Sequence, residues 1–162
     1  HRRLVERLLR QNRLFVQPGA DRIDVLSNYP FNEERLRRLL TIVQEQLRQR
    51  AGYATATALK AVLDCTDLGG GWLQPELLVD VLRRHGPFEV LPNGIVARAD
   101  LGLANAVRAT VRQALREART ALTVDEVLRA RPDLGVFASC LAELLADDPL
   151  VHCIDGAHFL LA

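Results

Sequence analysis

Arginine is the residue type whose spacing in this chain could do chemistry. Lys60 is the only lysine among 21 Lys and Arg residues. The cations are therefore guanidiniums, planar forks suited to phosphate and carboxylate oxygens. Arg3, Arg7 and Arg10 recur at i, i+4, i+7, and Arg108, Arg112, Arg116 and Arg119 at i, i+4, i+8, i+11. Each set falls on one face of a helix. A face of a single sign suits phosphate or an acidic partner. It is equally the composition of a solvated surface, or of a surface whose Arg residues pair with acids nearby. A GC-rich coding sequence would give the same preference for Arg over Lys.

Catalytic and metal chemistry is poorly supported. Gly69-Gly70-Gly71 lacks a following Lys-Ser/Thr, so it reads as a flexible turn rather than a phosphate loop. Cys140, His152, Cys153 and His158 include no CxxC pair, and adjacent strand residues such as His152 and Cys153 point to opposite faces. Ser139-Cys140 and His152 have no orienting partner or oxyanion loop in the sequence. Asp147-Asp148 precedes Pro149, which is ordinary loop chemistry. No catalytic residue, metal ligand or cofactor is expected, and the chain is not expected to be an enzyme.

The elements that position the arginines repeat. Leu77–Asp100 reads as an amphipathic helix, a stop at Gly86-Pro87, a strand, the turn Asn93-Gly94 and a return strand. Arg3–Ser27 and Cys140–Ala162 follow the same pattern. In register, Leu4, Leu78 and Leu141 correspond, as do Leu8, Leu82 and Leu145. So do Leu14, Phe88 and Val151, and Val16, Val90 and Cys153. Asp155-Gly156 takes the turn in the third copy, and Pro18-Gly19 begins a looser one in the first. A repeat of this kind outranks any single motif. Leu82, Phe88, Leu145 and Val151 are expected to be buried at equivalent places.

His1–Gln11 opens the chain as a helix, followed by a hairpin over Phe15–Leu26. Asn32 caps a long helix reaching about Arg50, with Leu36, Leu39, Leu40, Val43 and Leu47 as its buried stripe. Thr55 or Thr57 opens a shorter helix ending near Asp64, and Trp72 anchors the far side of the glycine loop. Leu101–Ala118 is the next helix. Thr123-Val124-Asp125-Glu126 is a capping box, and its helix stops at Arg131-Pro132. Val136–Ala146 then leads to the last hairpin. The fold class is mainly α with small β-hairpins.

Three helices with a tight turn before the third, followed by a hairpin, resemble the winged helix-turn-helix superfamily. The resemblance covers nearly the whole chain by order and periodicity, without a signature motif. It implies tandem winged-helix modules, as α-α-α-β-β repeats, over residues 31–100 and 101–162. Residues 1–30 would then be the last helix and wing of a truncated first module. The last unit is also loosely similar to helicase- and polymerase-associated extensions ending in a string such as Ala157–Leu161. Paired winged helices of polymerase and condensin accessory subunits are a further likeness. Members of the superfamily bind DNA through the third helix and the wing, and many serve only as protein-docking modules.

On that basis the third helix of the middle module presents Gln74, Glu76, Asp80, Arg83 and Arg84. Its wing presents Arg98, and the first hairpin presents Arg13 and Arg22. The corresponding helix of the last module carries Glu143, Asp147 and Asp148, which repel phosphate. The candidate DNA contacts are Arg3, Arg7, Arg10, Arg83, Arg84, Arg98, Arg108, Arg112, Arg116 and Arg119.

Composition bounds these readings. The chain has 162 residues, 49% apolar and 25% charged, which is globular rather than disordered. Aromatics are only 5%, so Leu, Val and Ala must fill the core. No apolar run is long enough to cross a membrane, and no signal peptide is evident. Three widely spaced Cys fit reduced thiols and an intracellular setting, in the cytoplasm, nucleoid or nucleus. The absence of Met fits an excerpt or a processed start. A net charge of +1 supplies no global basic field. The leading expectation is a non-catalytic, nucleic-acid-associated segment touching the DNA backbone through Arg-rich helices. The alternative is a protein interaction or oligomerisation module in a transcription, replication or chromosome-associated assembly.

Overall fold

The computed structural model describes residues 12–19 and 22–162. Over these residues the chain is mainly α-helical with small antiparallel sheets. It divides into two compact units. Of the described residues, the first holds those up to Val90 together with Gly94–Leu101, and the second holds Leu91–Asn93 and Gly102–Ala162. The expected helix over His1–Gln11 lies outside the described residues.

The first unit begins with a hairpin of β1 (Phe15–Gly19) and β2 (Arg22–Val25). Its register slips between Val16 and Gly19, around Pro18, which has no N–H to give a ladder. A 3-10 turn over Leu26–Asn28 leads to α1 (Glu33–Gln49). The Asn32 side chain caps α1, accepting from the Arg35 N–H at 2.8 Å. Leu39, Val43 and Leu47 are its buried residues. Gly52, at φ 90°, turns the chain into β3 (Tyr53–Thr55). Thr55 ends that strand and caps α2 (Ala56–Asp64), its hydroxyl accepting from Ala58 N–H at 3.2 Å.

The loop after α2 explains its glycines. A Cβ on Gly69 would collide with the Asp64 backbone, so only glycine lets the loop pass so near the helix end. Trp72 anchors the far side as expected, edge-on to Phe31 at 5.2 Å between ring centres and 6.4 Å from Tyr29. Pro75 sits at the first position of α3 (Pro75–His85), where a missing N–H costs nothing. Then come β4 (Phe88–Val90) and β5 (Ile95–Arg98), with Gly94 at φ 77° in the turn. The sheet order is β3-β5-β4. Leucines from all three helices fill the core, among them Leu39, Leu59, Leu63, Leu78 and Leu82. Each fully buried leucine contributes about 1.5–3 kcal/mol by transfer.

The second unit repeats this order. It runs α4 (Leu103–Ala118), β6 (Leu122–Thr123), α5 (Val124–Ala130), α6 (Ala138–Ala146), β7 (Val151–Cys153) and β8 (His158–Leu161). The sheet order β6-β8-β7 matches the first unit's. Thr123 again ends a strand and caps a helix. Glu126 reaches back to Thr123 N–H at 2.8 Å, completing the capping box. Gly156, at φ 81°, takes the last turn. Leu82, Phe88, Leu145 and Val151 are all buried.

The sequence does not signal the strands β3 and β6, because three and two residues are too few to show a period. One expectation needs correction. The helix expected over Val136–Ala146 starts at Ala138, since Pro132–Phe137 forms a 3-10 segment ahead of it. Pro132 opens that segment, and Leu134 and Phe137 are its buried residues.

Candidate functional site

The third helix of the first unit does not present the surface its sequence suggests. Asp80 and Arg84, one turn apart on α3, are turned inward beneath the β1–β2 hairpin. Arg84 Nε donates to Asp80 Oδ2 at 2.7 Å, with both side chains 6% exposed. The same carboxylate oxygen accepts the backbone N–H of Gln17 in β1 at 2.8 Å. Arg84 also reaches the Asn12 carbonyl at 3.4 Å. Asp80 and Arg84 are therefore hairpin anchors, and Arg84 leaves the set of surface arginines. A buried ion pair needs such extra hydrogen bonds to offset the loss of water. On this helix Glu76 and Arg83 remain exposed, as does Gln74 just before it.

His85 closes α3 in the same neighbourhood. Its Nε2 is buried with no hydrogen-bond partner. Burial lowers the imidazole pKa, and the nearby Arg13 and Arg84 charges push it further down, against the opposing pull of Asp80. The ring is thus favoured in its neutral form.

The α4 stripe splits into two halves. Arg108 donates from Nε to the Leu144 carbonyl at 2.9 Å and reaches Asn105 at 3.4 Å. Arg112 Nε lies 3.4 Å from the buried carboxylate of Asp148, and donates to the Arg108 carbonyl at 3.4 Å. These two tie α4 to the end of α6. Arg116 and Arg119 are exposed. Asp148, read from sequence as an outward acid, is instead 4% exposed, with Leu150 N–H on its Oδ1 at 3.0 Å. Glu143 and Asp147 do face solvent.

Among the described residues, acids pair with several of the other arginines. Arg98 in β5 is exposed but forks onto Asp100, holding that carboxyl below its usual range. Arg38 grips Asp67 with two bonds, and Arg35 donates to the Asp67 carbonyl. Arg37 pairs with Glu33, Arg22 with Asp24, Lys60 with Asp64 and Arg131 with Glu117. Exposed pairs add little stability, but each sets an acid beside a positive charge on this surface. Arg3, Arg7 and Arg10 lie outside the described residues.

The thiols and imidazoles are dispersed. Cys140 is buried and burial pushes its thiol pKa up, which makes it a poor nucleophile. Cys65 and Cys153 are exposed. His158 Nδ1 contacts Asp155, which also accepts the Ala157 and His158 backbone N–H groups in the last turn. Among the described residues no three His, Cys, Asp or Glu side chains gather as a metal-binding set. None of the helices there is long and apolar enough to cross a membrane.

The structure adds a surface that sequence reasoning missed. In the second unit a cleft of about 570 Å³ is lined by Ala109, Arg112, Arg116, Leu150, Leu161 and Ala162. Leu150 and Ile154 are among the most exposed large apolar side chains of the described residues, at 49% and 61%. The available signal was the run of apolar residues at both ends of the last hairpin, which has too few core positions to bury them all. Compared with known proteins, the chain matches no family model and no curated protein sequence.

Proposed function

We propose that this chain is a non-catalytic pair of winged-helix units serving as a protein-docking module. The winged-helix assignment is supported by the order helix, strand, helix, helix, strand, strand in each unit. In both, the first short strand pairs with the return strand of the hairpin. The observation that favours protein over DNA is the covered third helix of the first unit. There the Asp80–Arg84 pair is spent on holding the β1–β2 hairpin. The equivalent helix of the second unit turns Glu143 and Asp147 outward, which disfavours phosphate. Exposed Val136, Leu150, Ile154 and Leu160 offer apolar area that a protein partner would bury.

DNA contact is the second reading, carried by exposed Arg83, Arg116 and Arg119. The test combines two measurements. Fluorescence anisotropy with generic duplex DNA at several salt concentrations should show no steep salt dependence. A photo-crosslinking residue at Ile154, in cells expressing the full-length protein, should give discrete protein adducts. Tight duplex binding with a steep salt slope, lost on replacing Arg83, Arg116 and Arg119 by Gln, would overturn docking in favour of DNA. An absence of adducts would also count against it.

A further inference from the structure

We propose that the cleft between α4 and the open end of the β7–β8 hairpin is a docking site for an acidic protein segment, one that sets an aliphatic side chain beside a carboxylate. This assignment rests on the docking reading and names the partner's chemistry. The cleft has two kinds of wall. Ala109, Leu150, Leu161 and Ala162 form an apolar part, while Arg112 and Arg116 supply cations along one side. Its volume of about 570 Å³ holds a few side chains, within the range usual for ligand sites.

The two arginines play different parts. Arg112 is held in place, with its Nε beside the buried Asp148 and the Arg108 carbonyl. Its side chain is still 26% exposed at the cleft. A cation fixed before binding loses little rotamer freedom when a carboxylate arrives. Arg116, one turn further along, is exposed, and among the described residues no acid pairs with it. That leaves an unneutralised charge beside an apolar floor. A carboxylate would complement it, and an adjacent aliphatic group would bury Leu150, which is half exposed. Phosphate would satisfy the charge but leave the floor wet.

Asp148 sets the geometry. One oxygen faces Arg112 Nε and the other accepts Leu150 N–H. A single buried carboxylate therefore fixes the cationic and apolar sides relative to each other. Asp148 is a positioning residue here, since its buried oxygens are not offered to a partner.

The experiment is an NMR titration of the isotope-labelled chain with a blocked peptide alternating Asp or Glu with Leu. Backbone signals of Ala109 and Leu161 and the Arg112 and Arg116 side-chain N–H signals should shift together, with affinity falling as salt is added. Arg116→Glu should weaken binding at least about tenfold, while Arg116→Lys should retain most of it. Leu150→Ser should weaken it several-fold, with signals remote from the cleft unchanged. Absence of shifts overturns the proposal. So does an equal response to a peptide with Lys in place of its acids, or an unchanged affinity in Arg116→Glu. Stronger shifts with a short DNA duplex would also overturn it, in favour of phosphate. If Ile154 adducts persist while the peptide leaves the cleft unshifted, this assignment fails and the docking reading stands.

Discussion

Gln17 donates its backbone N–H to the Asp80 carboxylate at 2.8 Å across 63 positions of sequence. Arg84 donates to the same oxygen. A strand and a helix are thereby joined through one buried acid. Asp80→Ala should cost on the order of 3–5 kcal/mol, because it strands a buried guanidinium and a backbone N–H. The double change Asp80→Ala with Arg84→Met should recover much of that loss. Urea unfolding of both singles and the double gives the coupling directly. Additive losses would mean that the pair is not the anchor.

The repeat makes a second prediction. Leu145, fully buried in α6, stands where Leu82 stands in α3. Leu145→Ala and Leu82→Ala should each cost about 2–5 kcal/mol as large-to-small core changes. Leu160→Ala, at a partly exposed position, should cost far less, and the midpoints of chemical unfolding would rank the three.

Thr55 and Thr123 each end a strand and begin a helix. Replacing either by Ala should cost about 1 kcal/mol through the lost cap. Thr123→Ala should cost more than Thr55→Ala, because Glu126 loses its side-chain partner as well. Equal losses measured by thermal melting would show that the capping box adds nothing.

Acid should weaken the first unit by two routes. The His85 pKa is lowered in the fold, so the unfolded chain takes up the proton first. Stability from His85 is full above about pH 6.5 and declines as pH falls below it toward the folded value. Asp24 is held at about 2 by N–H groups of Val25 and Asn28 and by Tyr29 and Arg22. Its contribution is present above the ordinary carboxylate pKa of about 3.8 and is lost as pH falls toward 2. A His85→Gln variant should flatten the stability curve between about pH 7 and 5.5. An NMR titration midpoint for His85 at or above about 6.5 would contradict the assignment.

Much of this architecture was legible because its signals are local. Asn32, Thr123 and Glu126 mark helix starts by short-range hydrogen bonds. Asn93-Gly94 and Asp155-Gly156 mark turns by the positive φ that glycine accepts. The apolar period placed Leu82 and Leu145 inside. What was hidden depends on distant partners. Nothing near Arg84 in sequence says that a hairpin far earlier in the chain will cover it. The i, i+4 spacing of Arg108 and Arg112 records a shared helical face, yet that face meets the end of α6 and Asp148. A periodic row of charge is the same string whether it meets water or a buried acid. The Leu150 cleft was hidden in the same way: the apolar residues at the ends of the last hairpin were visible, but not the helix that completes the cleft with them.

The placement of α3 has a consequence for motion. It is packed against β1 on one side and against α2 and β4 on others, and Leu77, Leu78, Val81 and Leu82 are fully buried. The amide protons of its buried middle can meet solvent deuterium only if the hairpin lifts or the whole unit opens. Exchange in α3 should therefore be the slowest in the first unit, and should be governed by cooperative opening rather than fraying. The Gln17 amide should exchange with those of α3, marking the hairpin as part of the same opening event.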